Sequence, residues 1–308
     1  MIGVDFSPFQ NFQNSISESE FLLFSDYIKK NSGIVIPREK AYLIETRLSK
    51  LMADTGTDSF SEFYKYLSSK SDPSLHQKII NAMTTNETLW FRDDAPWKVL
   101  EKITLPKLVG DLASGKKMRA RIWCSAVSTG QEVYSTVMCV DNYLNKNPVK
   151  GVDLSKFDFF ATDISSRVLD IAKKGRYDAI SIMRGLSDYY KSKYFIKDGS
   201  AWEIDPKIRN AVRFSQYNLQ DSYHIFGMFD IIFCRYVLIY FSDQQKKEII
   251  AKMSDILIDG GLLFTGNYVL YELFEKDFDS HYYANLTYYS KRDNVQPEPS
   301  SEIKAVVK

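Results

Sequence analysis

Glu132, Asp163, Arg92 and Arg235 are the residues of this 308-residue chain whose types and surroundings best suit chemistry. Glu132 stands in "WCSAVSTGQEVYS" (Trp123 to Ser135), which has the outline of a strand, a small-residue loop and a helix start. A dinucleotide loop would carry three spaced glycines, yet only Gly130 is present. A carboxylate in the first turn would repel a pyrophosphate and welcome an ammonium or sulfonium. Asp163 closes a second apolar strand, where an acid commonly holds ribose hydroxyls. Asn218-Leu219 and Arg235 close two more. S-adenosylmethionine has ribose hydroxyls, an amino group and a sulfonium, and no phosphate, so this set of residues points to it. The plain alternative for each acid alone is a charge complementing a helix N-terminus. A second stretch, "TTNETLWFRDD" (Thr84 to Asp94), holds Asn86, Thr88 and Arg92 and is too aromatic for a plain linker. Arg92 offers a planar fork for a substrate carboxylate; a surface arginine is the alternative.

Helices and strands must position these groups. Ser17-x-x-Glu20 reads as a capping box opening a helix that stops near Gly33. Pro37 suits a first helical position, with Ile44, Leu48, Leu51 and Met52 at helical spacing and Gly56 as terminator. Ser59-x-x-Glu62 is a second capping box, and Ser74 to Met83 a fourth helix. From about residue 118 strands alternate with helices. The strands expected are Arg119–Ser125, Phe157–Thr162, Val212–Tyr217, Phe229–Cys234 and Leu262–Thr265, with Leu286–Lys291 as an antiparallel edge. The helices expected between them are Gln131–Leu144, Ser166–Lys174 and Gln244–Leu257, with a turn at Gly260-Gly261. The pattern predicts a doubly wound α/β sheet with ligands at its carboxyl ends. The expected division is a helical domain and linker over 1–90, an S-adenosylmethionine-binding α/β domain over 91–291 with a small inserted subdomain at about 176–211, and a mobile tail over 292–308.

Lysine and arginine total 40 against 39 acids, which argues against a protein that lives on nucleic acid. Nor does an N/D-P-P-Y/F/W motif for base methylation occur. The three cysteines form no C-x-x-C pair and suit a reducing compartment, and the three histidines lack metal-ligand spacing, so no metal is expected. No apolar run reaches membrane length; the longest candidate, Phe229 to Phe241, is broken by Arg235. A cytoplasmic protein without membrane insertion is expected, as a monomer. Between Lys29 and Lys50, Lys29, Lys30, Arg38, Lys40, Arg47 and Lys50 face only Glu39 and Glu45, a basic face suited to an acidic protein partner or simply to solvent.

Together the motifs resemble the CheR family of chemotaxis receptor glutamate methyltransferases over roughly residues 20–290. "GIVIPREKAYLIETRLSKL" is similar to that family's helical domain, and "TNETLWFR" to its T-N-x-T-x-F-F-R motif. "WCSAVSTGQEVYS" resembles the loop W-S-A-A-x-S-T-G-E-E-P-Y-S, "ATDIS" its A-T/S-D-I, and "FDIIFCRYVLIYF" its F-D-x-I-F-C-R-N-V-x-I-Y-F. The resemblance implies a class I methyltransferase-like fold and an in-line methyl transfer from S-adenosylmethionine to glutamates of chemoreceptor helices. It places Asn86, Thr88, Arg92, Ala126, Glu132, Asp163, Asn218, Leu219, Arg235 and Tyr236 around the cofactor, and Arg92, Arg235 and Tyr240 at the transfer site. Three residues or stretches depart from the family: Gln131, Tyr236 in place of Asn, and "TGNYVLYEL" after the fifth strand. Tyr236 leaves open a non-catalytic cofactor-binding regulator. Some family members also grip a receptor's C-terminal tether with a glycine-rich loop of the insertion. Here "YFIKDGSAWEIDPKIRNAVRF" is short and has only Gly199, so no dependence on such a tether is expected.

Overall fold

The structure, a computed structural model, describes residues 15–70, 72–266 and 271–293. Four helices come first: α1 (Glu18–Ser32), α2 (Tyr42–Asp54), α3 (Phe60–Ser69) and α4 (Pro73–Met83). Ser17 and Glu20 form the expected reciprocal cap of α1, and Gly33 ends it in the left-handed region at φ 77°. A Cβ at Gly33 would collide with the Phe241 ring, so only glycine fits this approach to the second domain. Ser59 caps α3 through the Glu62 N–H, but the Glu62 carboxylate accepts from Asp58 N, so the box is only half closed. Pro37 caps a short 3-10 turn (Arg38–Lys40) ahead of α2 rather than opening the helix itself. Phe24, Ile28, Ile44, Leu48, Phe63 and Ile79 are fully buried where the four apolar stripes meet.

A second helical stretch went unread in the sequence. It comprises α5 (Ala95–Val99), a π turn (Leu100–Thr104) and α6 (Leu105–Ala113). Pro106 lacks an N–H, and the wider turn just before it accommodates the missing bond.

The sheet follows in alternation: β1 (Ala120–Cys124), α7 (Gln131–Lys146), β2 (Phe157–Asp163), α8 (Ser166–Lys174), then the insertion. The insertion contains β3 (Arg176–Asp178), α9 (Ala179–Met183), α10 (Asp188–Tyr194), β4 (Phe195–Asp198), β5 (Ala201–Ile204) and α11 (Pro206–Asn210). The main sheet resumes with β6 (Val212–Gln216), β7 (Phe229–Phe233), α12 (Asp243–Asp255), β8 (Leu257–Phe264), α13 (Tyr271–Phe274), β9 (Phe278–Tyr283) and β10 (Leu286–Lys291). Its order is β6-β2-β1-β7-β8-β10-β9, parallel from β6 to β8 and antiparallel at β10 and β9. The order reverses beside β1, so ligands belong at the carboxyl ends of β1, β2 and β7.

Three expectations change. β10 lies inside the sheet, because β9 pairs along it and takes the edge. β8 starts at Leu257, where a helix end was expected, and carries Gly260 at φ 68° within the strand across a register shift. Arg292, expected to open a mobile tail, is held by Asp279. Residues 294–308 of that tail, and Asn267 and Tyr268 of the altered stretch, lie outside the described residues.

The insertion folds as a separate three-stranded antiparallel sheet, β3-β5-β4. It is anchored on α7, where buried Asp141 accepts from Tyr194 Oη at 2.8 Å and Lys207 Nζ at 2.6 Å. The helical domain is anchored on the sheet's carboxyl end. Val35 N donates to Tyr240 O at 2.8 Å, Asn218 Nδ2 to Asn31 O at 2.9 Å, and Gln77 Nε2 to Ile164 O at 3.2 Å. No helix among the described residues is long and apolar enough to cross a membrane.

Candidate active site

One cavity of about 300 Å³ opens where the helical domain meets the ends of β1, β2, β6 and β7. Its lining includes all eleven residues expected at the site, from Asn86 to Tyr240, gathered from five separate stretches of chain. Sequence reasoning missed Ser32 and Ile34, which close the cavity from the helical domain, and Ser128 in the first loop. Only the small-residue composition of that loop could have flagged Ser128.

The loop after β1 is strained into place. Ser128 has φ 51°, its N–H donates to Asp163 Oδ2 at 2.9 Å, and its Oγ donates to Asn86 O at 2.9 Å. Asp163 Oδ1 accepts from Ser165 N at 2.9 Å, which leaves further lone pairs on both oxygens. Burial pushes the Asp163 carboxyl up, against the backbone N–H groups that hold it down. Gly130, at φ 99°, starts α7 with Tyr177, Ala172 and Tyr134 packed against it; its missing side chain serves packing rather than a phosphate.

Arg235 differs from expectation. Its side chain is 1% exposed and bound to protein on both terminal nitrogens. Nη1 donates to Glu132 Oε2 at 2.9 Å, and Nη2 to Asp93 Oδ2 and Arg92 O, both at 2.7 Å. Arg235 therefore braces the cavity wall and is not free to reach a substrate. Glu132 is correspondingly not a bare carboxylate facing the ligand: burial pushes its carboxyl up and Arg235 opposes that. Asp93, the acid between these groups and at φ 65°, was not singled out from the sequence, although it follows Arg92 directly.

Arg92 is the complement. Its guanidinium carbon lies 3.6 Å from the centre of the Tyr236 ring, and among the described residues its N–H groups make no hydrogen bond. Tyr236, which the resemblance places around the cofactor, lines the same cavity with its ring packed against Arg92. Trp90, in the same motif, faces away and fixes the insertion: its Nε1 donates to Ser181 O at 3.0 Å, and its ring meets Tyr177 edge-on at 4.9 Å. Asn218 accepts from Gln220 N at 3.0 Å, so its side chain shapes the turn after β6 as well as the wall. Burial pushes the Cys139 and Cys234 thiols up to about 12, which removes them as nucleophiles near neutral pH.

Arg47 also departs from its expected place on a docking face. It is half-buried and donates to Met83 O at 2.8 Å and Thr85 Oγ1 at 3.2 Å, pinning the linker that carries Asn86. Lys29, Lys30, Arg38, Lys40 and Lys50 are exposed.

The lining suits S-adenosylmethionine. The cavity volume is at the lower end for small-molecule sites. Asp163 offers buried acceptors for hydroxyls, and no lysine among the described residues lines the wall to seat a phosphate. The family described as CheR methyltransferase, SAM binding domain matches residues 86–280, and the CheR methyltransferase all-alpha domain matches residues 19–84. The chain is 39% identical over 253 residues to the chemotaxis protein methyltransferase Cher2 of Pseudomonas putida, covering 82% of this chain and 90% of the relative. It is 41% identical to chemotaxis protein methyltransferase 1 of Pseudomonas aeruginosa over the same shares, and 31% identical to the chemotaxis protein methyltransferase of Listeria innocua over 81% of this chain and 89% of that one. Matches of this extent across both domains show that the chain belongs to the CheR methyltransferase family, the S-adenosylmethionine-dependent methyltransferases of chemotaxis.

Proposed function

We propose that this protein methylates glutamate side chains of chemoreceptor helices to methyl esters, in the cytoplasm. The observation that carries the reading is Arg92: a stacked guanidinium on the cavity wall whose donors no described residue takes up. Such a fork accepts a carboxylate edge-on. The bound cofactor supplies an electrophilic methyl group on a sulfonium. A glutamate of ordinary pKa, about 4.3, is already ionised near neutral pH, so no residue need remove a proton. Arg92 instead holds the carboxylate in line, and orientation of this kind contributes several kcal/mol. Asp163 holds the ribose hydroxyls. Asn86, Thr88, Ala126, Asn218 and Leu219 complete the cofactor's walls, and Tyr240 borders the acceptor side. A non-catalytic role has less support, because Tyr236 lies beneath Arg92 and leaves the cavity in place. Mass spectrometry of a receptor fragment incubated with enzyme and cofactor tests the reading: the added methyl is expected on glutamate, and a methyl on any other residue would refute it.

Asp163→Ala is expected to weaken cofactor binding by roughly 1.5–3 kcal/mol, the scale of hydrogen bonds to a charged group. Calorimetry shows whether the affinity falls; unchanged affinity removes Asp163 from the ribose.

The receptor is proposed to dock on the exposed Lys29, Lys30, Arg38, Lys40 and Lys50. Arg47 takes part only through the linker it pins. In the insertion, β4 and β5 are joined by the two-residue turn Gly199-Ser200, which supplies no extended glycine-lined edge for a peptide tether. Receptors with and without a C-terminal tether are therefore expected to be methylated equally, with binding that weakens steeply as salt rises. Micromolar binding of a receptor tail peptide to the insertion would contradict this.

A further inference from the structure

Tyr236 follows Arg235 directly at the end of β7 and holds φ 58°, a region that bulky side chains rarely adopt. Its surroundings keep it there. One face of the ring packs on Gly266, where an added Cβ would sit 3.1 Å from the ring atoms. The other face carries Arg92 at 3.6 Å. The hydroxyl donates to Asp93 Oδ2, the oxygen that also accepts from Arg235 Nη2 at 2.7 Å. The ring is thus clamped on both faces and fixed in rotation by an acid that Arg235 holds. Backbone strain sustained by so many contacts clusters at functional positions.

We infer that Tyr236 is a positioning residue, which presents the edge of the Arg92 guanidinium to the acceptor carboxylate. A ring under the guanidinium face restrains its plane and leaves the in-plane N–H groups free. An asparagine, the residue the resemblance leads one to expect here, tolerates a positive φ but offers no ring to stack. The device reaches back to the cofactor side of the cavity, because Asp93, Arg235 and Glu132 are joined in one chain of ion pairs. The inference rests on the reading of Arg92 as the carboxylate-holding group.

The test uses the full chain with Tyr236→Asn, Tyr236→Phe and each combined with Arg92→Lys. Tyr236→Asn is expected to lower methyl transfer to a receptor fragment about thirtyfold, with S-adenosylmethionine affinity by calorimetry within about threefold of wild type. Tyr236→Phe keeps the ring, loses the bond to Asp93, and is expected to recover most of that loss. In the Arg92→Lys background, Tyr236→Asn should cost less than about threefold more, since residues acting through one another are not additive. A readout independent of activity is the Arg92 Nε–H proton resonance. The ring shifts it upfield in the wild type and in Tyr236→Phe, and the shift is expected to vanish in Tyr236→Asn. Effects that multiply in the double variant, or a cofactor affinity that falls along with turnover, overturn the inference. An Arg92 resonance indifferent to Tyr236→Asn overturns it even where glutamate methylation is intact. Absence of methyl transfer by every variant and the wild type, with the resonance shift present, would instead bring down the proposed function.

Discussion

Arg235→Met lowers the stability of the chain by roughly 3–5 kcal/mol, the cost of stripping a partner from buried charges. The side chain, 1% exposed, joins Glu132 at 2.9 Å and Asp93 at 2.7 Å, so its loss leaves the largely buried Glu132 carboxylate without its partner beside a second, more exposed acid. The deficit has a pH signature. Burial already pushes the Glu132 carboxyl up, and removing Arg235 pushes it further. A carboxyl raised in the folded state contributes stability below its unfolded pKa and loses it as pH rises through the folded one. The variant is therefore closest to wild type in mild acid and falls behind toward neutral pH. Denaturant unfolding at several pH values checks both statements; a wild-type midpoint at neutral pH would show that the triad bears no structural load.

The second large effect belongs to Arg92. Arg92→Lys retains the charge and loses the planar fork. Methyl transfer is expected to fall about a hundredfold, the scale of a misplaced reactant, while the unfolding midpoint barely moves. The contrast with Arg235 separates the two arginines: one supports the wall, the other faces the reaction. Wild-type turnover in Arg92→Lys would remove Arg92 from the positioning role.

Much of this candidate site is legible in the sequence, because the residues that line it sit at strand ends and short motifs mark those ends. Asp163 after an apolar run and Glu132 after a small-residue loop are local patterns. The distinction between the two arginines was not readable. Arg235 meets Asp93 and Glu132 across 142 and 103 positions of sequence, and such long-range pairing leaves no periodic trace. The left-handed backbone at Phe91, Asp93, Ser128 and Tyr236 is equally silent, since none is glycine. In the fold, capped helices such as α1 were plain, whereas α5 and α6 were hidden by Pro96 and Pro106. The β9 edge was hidden by its polar run Phe278–Tyr283, which carries little of a strand's usual apolar alternation. Arg47 looked like part of a basic surface, and only the position of the linker showed that it faces inward.

The most direct test of the account is the fate of a labelled methyl group. Wild-type protein is incubated with methyl-labelled S-adenosylmethionine and a chemoreceptor cytoplasmic fragment, and the washed receptor is then treated with mild base. The account predicts label on the receptor that base releases as volatile methanol, strongly reduced with Arg92→Lys. Label that resists base, or enters the receptor equally with Arg92→Lys, would contradict it.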